Sequence, residues 1–229
     1  MRWFRRHKKY SFEWKHDRHS HILPDLDDGV KTLSEAVELV KRMTALGVER
    51  FTFTPHIAFP GMLNNKDNIG GSLLILKKYL ESEGLRVPME AAAEYRMGEF
   101  MLDLLDRDDI LASSSGEVLV EHSFYAPTCY TDDILCRLRD KGYQPVLAHP
   151  ERYPFYLDDV VKHCEEMKHK GCKIQVNILS FTGYYGKEVL HAVQKLYDAG
   201  IVDYYASDIH GLKQMDLLED FMKGEFFNS

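Results

Sequence analysis

The stretch His-Ser-His-Ile-Leu-Pro-Asp-Leu-Asp-Asp-Gly, residues 19–29, places two imidazoles and three carboxylates within eleven residues. Side chains two positions apart in a β-strand point to the same face, so His19 and His21 at a strand end can bind one metal ion together. Pro24 then interrupts regular structure, which places the pair where a strand runs into a loop. The sequence therefore predicts the first half of a metal site.

A second pair with the same spacing favours this interpretation over a polar turn before a helix. Asp208 and His210 are again two apart and again follow a short apolar run. One such pair alone is more often a polar turn, whereas two at opposite ends of the chain indicate a shared site.

The length and composition predict a single folded domain. The chain has 229 residues and 45% hydrophobic content, enough to bury a full core. It contains no apolar run of eighteen or more residues and no signal-peptide pattern after its basic start. We therefore expect a cytoplasmic protein that is neither secreted nor membrane-spanning.

The charge distribution argues against nucleic-acid binding. The formal net charge is -7, and residues 1–9 are basic, so the rest of the chain is more acidic still. We expect residues 1–16 to form a basic N-terminal tail and residues 17–229 to form the domain. The tail is either solvated or in peripheral contact with an anionic membrane or acidic partner. Residues 1–9 of the tail hold Arg2, Arg5, Arg6, Lys8 and Lys9, beside Trp3 and Phe4.

Short apolar runs alternate with helical patterns along the chain, as in βαβ units on a parallel sheet. The first strand is predicted just before His19. The further predicted strands are 50–54, 87–92, 117–120, 144–147, 173–177 and 202–206. The predicted helices are 34–46, 68–83, 98–106, 131–141, 158–170, 187–199 and 212–223. Seven such units predict a single distorted TIM-like (β/α)7 barrel, with an open doubly wound sheet as the alternative.

Side chains that can bind a metal ion follow six of the seven predicted strands. This placement favours the barrel over the open sheet, because a barrel brings the carboxyl ends of its strands together on one face. Barrel closure would also bring the first strand beside the last, and the two spaced pairs beside each other. The eight candidate ligands are His19, His21, His56, Glu94, Glu121, His149, Asp208 and His210. Since a catalytic zinc ion takes about three protein ligands, eight side chains imply two or three ions. Imidazole and carboxylate ligands without thiolate favour Mn²⁺, with iron or zinc also possible.

These residues resemble the polymerase and histidinol phosphatase (PHP) superfamily, and more closely its CpsB/CapC branch of manganese-dependent bacterial tyrosine phosphatases. The resemblance runs from about residue 17 to residue 211, and all eight candidate ligands match. It implies a seven-unit barrel with a trinuclear metal cluster. It also implies action on a bacterial tyrosine kinase that controls capsule or exopolysaccharide assembly. The blocks that carry it are residues 19–29, Thr54-Pro55-His56, Ala93-Glu94, residues 147–153 (Leu-Ala-His-Pro-Glu-Arg-Tyr) and Ser207-Asp208-Ile209-His210.

Three positions depart from that branch. Asp25 stands where Gly is usual, and its carboxylate could weaken phosphate binding or add a metal contact. Arg18 stands where an aliphatic residue is more common. The loop-rich segment 59–71 differs in detail, which affects substrate contacts more than the chemistry.

A phosphomonoester must be neutralised and attacked by an activated water, and a multi-metal cluster serves both needs. We expect Arg152 to bind the phosphate through its paired donors, unless it instead pairs with Glu151 or Asp158. Asp28 or a histidine could protonate the leaving tyrosine. The cysteines are expected to be inert free thiols, because none has an arginine six residues later, as thiol-based tyrosine phosphatases require. They are Cys129, Cys136, Cys164 and Cys172.

Two other functions fit the pattern less well. The chain could hydrolyse a small phosphomonoester such as histidinol phosphate, although the Tyr-rich segment 181–186 favours the tyrosine branch. It could also be a non-catalytic scaffold that binds a kinase, which the intact ligand set argues against.

Overall fold

The computed structural model describes residues 10–11 and 13–224. Residues 1–9, which hold five basic side chains of the predicted tail, lie outside the described residues. Tyr10 and the buried Trp14 pack against the main hydrophobic core, so part of the predicted tail contacts the domain. Among the described residues, no helix combines the length and apolar composition needed to span a bilayer.

Strands and helices alternate along the chain as the sequence predicts. The strands are β1 His16–Asp17, β2 Arg50–Phe53, β3 His56–Ala58, β4 Met62–Leu63, β5 Met89–Ala91, β6 Glu94–Arg96, β7 Glu117–Glu121, β8 Gln144–Ala148, β9 Lys173–Asn177 and β10 Tyr204–Ala206. The helices are α1 Leu33–Ala45, α2 Lys66–Ser82, α3 Glu99–Asp106, α4 Thr131–Asp140, α5 Val160–His169, α6 Lys187–Ala199 and α7 Leu212–Met222. Short 3-10 segments cover Pro150–Arg152, Pro154–Tyr156 and Ile178–Thr182.

The helix boundaries follow their capping residues. The Thr32 side chain caps α1 by accepting from the Glu35 amide, and Asn65 with Asn68 forms a capping box at the start of α2. Helix α2 therefore begins two residues before the predicted start at residue 68. Asp159 caps α5, and Gly200 in the left-handed conformation ends α6.

The strands form two sheets in the described residues, and these sheets do not make one continuous closed sheet. The order is β1-β2-β5 in the smaller sheet and β10-β9-β8-β7-β6-β3-β4 in the larger one. All pairs are parallel except the β3–β4 hairpin, which the sequence did not predict. A parallel bridge between Ser20 and Ile209 joins the segment after β1 to the segment after β10.

Two predicted strands are each followed by a further short strand that the sequence did not predict. The predicted strand 50–54 ends before Thr54-Pro55, and β3 then begins at His56 in the other sheet. Pro55 has no amide hydrogen and cannot donate to a ladder, which explains the break. The predicted strand 87–92 is likewise followed by a separate strand, β6, so that Glu94 lies inside a strand instead of after one.

Candidate metal centre

The structure brings all eight candidate ligands together, although His56 and Glu94 are the first residues of β3 and β6 and do not follow a strand directly. Their nitrogen and oxygen atoms fall into four overlapping groups, within each of which the atoms lie within 4.8 Å of one another. The groups are His19, Glu94 and His149; His19, His21 and Asp208; His56, Glu94 and Glu121; and His21, Asp28, His56 and His210. The fourth group also contains Asp28, the proton donor that the sequence predicts.

Backbone hydrogen bonds place the two spaced pairs beside each other, as predicted. The Asp208 amide donates to the His19 carbonyl at 2.8 Å, and the His21 amide donates to the Ile209 carbonyl at 2.9 Å. Asp208 has φ 50° and His149 has φ 35°, in the left-handed region that non-glycine residues rarely adopt. Such strained conformations concentrate at functional sites.

Glu94 is the central carboxylate of the cluster. Its Oε2 atom lies 3.1 Å from His19 Nε2, 3.3 Å from His21 Nε2 and 3.1 Å from His56 Nδ1. Its Oε1 atom lies 3.0 Å from His149 Nε2. A buried carboxylate among four imidazoles would hold a metal ion together with them.

Burial and mutual repulsion shift the pKa values of the carboxylates. Burial and the nearby Glu94 charge raise the pKa of Glu121 to about 8, although Arg96 opposes this shift. Burial would also raise the pKa of Glu94, but His19 and His56 hold it well below its ordinary value. Glu94, Glu121 and Asp208 are buried close together, and buried carboxylates need compensating positive charge, which bound cations would supply.

One histidine offers a nitrogen atom suited to a metal ion. The Nδ1 atom of His56 is buried and makes no hydrogen bond of good geometry within the described part of the chain, although Glu94 Oε2 lies 3.1 Å away. A buried polar atom without a partner is costly, and coordination would satisfy it. The donor set, imidazole nitrogen with carboxylate oxygen, fits Mn²⁺, iron or zinc.

Outer residues orient several of the candidate ligands. Asp27 Oδ2 accepts from His21 Nδ1 at 2.7 Å and from the His56 amide at 2.9 Å. This bond puts the proton of His21 on Nδ1 and leaves Nε2 facing the cluster. Gly29 lies against His21 so closely that an added Cβ would meet the His21 carbonyl oxygen at 2.2 Å, so only glycine fits there.

Strand β9 is the one predicted strand without a candidate ligand, yet it supports the site through two amides. The side-chain Oε1 atom of Gln175 lies 2.8 Å from His19 Nδ1, and the side-chain Nδ2 atom of Asn177 donates to Asp208 Oδ2 at 2.6 Å. We did not identify these residues from the sequence. Their spacing is the available signal, because two polar residues two apart in a buried strand point to one face.

Two arginines contact candidate ligands. Arg96 was not predicted, and its Nε and Nη2 atoms donate to Glu121 Oε1 at 3.1 and 2.9 Å. Arg152 Nη1 donates to Asp208 Oδ2 at 2.7 Å, which is neither of the partners, Glu151 and Asp158, considered from the sequence.

The residues at the edge of the site differ in exposure. The Asp28 side chain is half exposed, and its Oδ1 atom lies 3.5 Å from His210 Nε2 and 3.6 Å from His56 Nε2. The interaction with His210 lowers the pKa of Asp28. Asp25 is exposed and belongs to none of the four groups of described residues, so its carboxylate does not join the cluster.

The cysteines lie apart from this cluster. All four are free, and none belongs to the metal-type groups of the described residues. Cys129 and Cys136 are exposed, whereas Cys164 and Cys172 are buried. Burial raises the pKa of the Cys172 thiol to about 12 and also raises that of Cys164, so neither buried thiol is a thiolate near neutral pH.

The mixed α/β fold and the cluster of candidate ligands are those of a metal-dependent hydrolase. The family model for capsular polysaccharide synthesis, CpsB/CapC, matches residues 15–216. The chain belongs to this family.

Individual proteins agree with that assignment. The chain is 27% identical to the putative tyrosine-protein phosphatase CapC of Staphylococcus aureus, over 93% of this chain and 82% of the relative. A solved structure, described as YwqE from Bacillus subtilis and CpsB from Streptococcus pneumoniae, unique metal-dependent tyrosine phosphatases, superposes with a TM-score of 0.81. Its identity is 25%, and the match covers 93% of this chain and 88% of the other.

A more distant structure shares the fold. Histidinol phosphate phosphatase from Lactococcus lactis superposes with a TM-score of 0.54 at 12% identity, over 92% of both chains.

Proposed function

We propose that this protein is a metal-dependent phosphatase that removes phosphate from protein phosphotyrosine. The observation that carries the proposal is the buried cluster of eight imidazole and carboxylate side chains in a chain of the CpsB/CapC family. The substrate is proposed from the relatives, which are named tyrosine-protein phosphatases.

The proposed architecture is a single distorted (β/α)7 barrel of the PHP type over residues 17–229, after a basic N-terminal tail. The β-bridge between Ser20 and Ile209 supports this architecture, because it joins the segment after the first strand to the segment after the last strand. The Thr54 amide, which donates to the Ser20 carbonyl at 2.9 Å, links the same region to the end of β2.

The proposed ligands are the eight side chains predicted from the sequence, and two or three Mn²⁺ ions are the proposed cofactor. Bound metal ions would neutralise a phosphate dianion and make a water acidic enough to attack it near neutral pH. The protein contributes a preorganised site, in which Asp27 and Gln175 fix the rings of His21 and His19 before any ion binds.

Arg152 is the proposed phosphate-binding cation. Its bond to Asp208 uses one of five guanidinium N–H groups, and the others can donate to phosphate oxygens.

Asp28 is the proposed proton-handling residue at the edge of the cluster. The interaction with His210 lowers the pKa of Asp28 and keeps it an ionised carboxylate near neutral pH. Its half-exposed position beside His210 and His56 would let it accept a proton from water and return it to the leaving phenolate.

The proposed partner is a phosphotyrosine-bearing bacterial tyrosine kinase that controls capsule or exopolysaccharide assembly, and the proposed location is the cytoplasm. The family description, capsular polysaccharide synthesis, supports this partner. The basic residues 1–9 could add a peripheral contact with an anionic membrane.

Parallel assays test the proposal. The Mn²⁺-loaded full chain is assayed with a phosphotyrosine peptide, a phosphoserine peptide and histidinol phosphate. We expect kcat/KM to be highest for the phosphotyrosine peptide and to vanish after chelation. A clear preference for histidinol phosphate would assign a small-molecule phosphatase, and stoichiometric metal binding without turnover of any ester would assign a scaffold.

A further inference from the structure

We propose that Phe124 and Tyr185 are positioning residues that hold the guanidinium of Arg152 in a fixed plane between their rings. The inference rests on the proposed function, in which Arg152 binds the phosphate. It adds two aromatic side chains, from two different loops, to the residues that determine phosphate affinity.

The geometry around Arg152 carries the inference. Its Cζ atom lies 4.3 Å from the centre of the Tyr185 ring and 5.0 Å from the centre of the Phe124 ring. Both distances fall within the roughly 6 Å over which the face of an aromatic ring attracts a cation, and a planar guanidinium can also stack on a ring. The 2.7 Å bond to Asp208 fixes one edge of the same group.

The two rings reach Arg152 from the loops after β7 and β9, the strands on either side of β8. Phe124 lies in the loop after β7, and its ring also stacks against the His149 ring at 5.8 Å with 14° between the planes. Tyr185 lies after β9, beyond the 3-10 segment Ile178–Thr182. Burial raises the pKa of the Tyr185 phenol, so the ring is neutral and does not pair with Arg152 as a phenolate.

The fixed plane has a physical consequence for binding. A free arginine side chain samples many rotamers, and part of this freedom is lost when it closes on a ligand. A guanidinium that two rings and a carboxylate already hold has lost this freedom before phosphate binds. The entropy lost on binding is therefore smaller, and the affinity for phosphate is higher. Phe124 remains 37% exposed, which places this arrangement at the open side of the site and not in the core.

A double-mutant cycle tests the proposal. Tyr185→Leu is made in the wild-type chain and in the Arg152→Ala background, and the Mn²⁺-loaded proteins are compared. The readouts are the Kd for inorganic phosphate, kcat/KM for a phosphotyrosine peptide, and metal content. Tyr185→Phe is the conservative variant, and Tyr125→Leu is the control, because Tyr125 is 98% exposed and adjacent to Phe124.

We expect Tyr185→Leu to weaken phosphate binding by about fivefold to thirtyfold, as for loss of a desolvated cation–π contact, with metal content unchanged. In the Arg152→Ala background the same change should alter the Kd by less than about twofold. Tyr185→Phe should keep most of the wild-type affinity, and Tyr125→Leu should match wild type.

An equal loss in both backgrounds would show that the ring acts on the fold and would overturn the proposal, as would wild-type affinity in Tyr185→Leu. If Tyr185→Leu does not fold, Phe124→Leu completes the same cycle. The phosphate Kd does not depend on which ester is hydrolysed. A non-additive cycle in a protein that leaves phosphotyrosine intact would therefore refute the proposed function and keep this inference.

Discussion

Changing Asp27 to Asn removes a negative charge directly behind His21 while keeping the shape of the side chain. The Asp27 carboxylate accepts three hydrogen bonds, from His21 Nδ1 at 2.7 Å, the His56 amide at 2.9 Å and the Gly29 amide at 2.9 Å. Two of these bonds reach Oδ2 and one reaches Oδ1. Asn can retain the first two only by turning its NH2 group toward the Gly29 amide, which leaves that donor without an acceptor.

We expect this change to weaken Mn²⁺ binding by about tenfold to a hundredfold, the usual cost of losing an outer partner of a ligating histidine. An unsatisfied buried donor should also lower the free energy of unfolding by about 1–3 kcal/mol. Titration calorimetry of the metal-free protein measures the first effect, and urea denaturation measures the second.

Asp25→Asn is the matched control, because Asp25 lies in the same loop, carries the same charge and is exposed. It should bind Mn²⁺ as the wild type does. Equal metal affinities for wild type and Asp27→Asn would refute the reasoning that Asp27 fixes the His21 ring.

Three other predictions address the remaining chemistry. Arg152→Lys keeps the charge but loses the planar donor set, so kcat/KM for a phosphotyrosine peptide should fall by about tenfold or more with metal content unchanged. Unchanged kinetics would make Arg152 structural. Changing all four cysteines to Ser should leave most of the metal-dependent hydrolysis, since none lies in the cluster; loss of several orders of magnitude with normal metal content would contradict this. His122 is buried, and burial lowers its pKa from 6.5 to about 4. Between these pKa values the unfolded state binds more protons on His122 than the native state does, so the free energy of unfolding decreases as the pH is lowered. From this residue alone the decrease at pH 5 is about 2 kcal/mol relative to a pH well above 6.5. Denaturation of His122→Phe and wild type at pH 7 and pH 5 should show a shallower decline in the variant, and identical slopes would exclude the effect.

The sequence predicted most elements of the fold because apolar spacing and capping residues are local signals. Helix α6 and strand β9 have the predicted bounds, and the cluster lies where the strand ends indicated. Strand β3 was not predicted because it has only three residues after Thr54-Pro55, and it belongs to a different sheet from β2.

The partners of the site residues could not be predicted in the same way. Arg152 has Glu151 as its sequence neighbour, but its side-chain nitrogen donates to Asp208, a residue brought near only by the tertiary fold. Gln175 and Asn177 have the alternation of an ordinary strand, and their role depends on which histidine and carboxylate the tertiary fold places against them. Local patterns identify residues that can bind a metal, whereas the choice of hydrogen-bond partner is decided by packing.

The most direct test of the metal cluster is the number of ions bound by each chain at saturation. The metal-free protein is incubated with excess Mn²⁺, freed of unbound metal by rapid gel filtration and analysed for manganese and protein. The eight-residue cluster predicts two or three Mn²⁺ per chain, together with a higher unfolding temperature than the metal-free protein, because binding to the native state alone stabilises it. A stoichiometry below two at saturating Mn²⁺ would contradict the cluster.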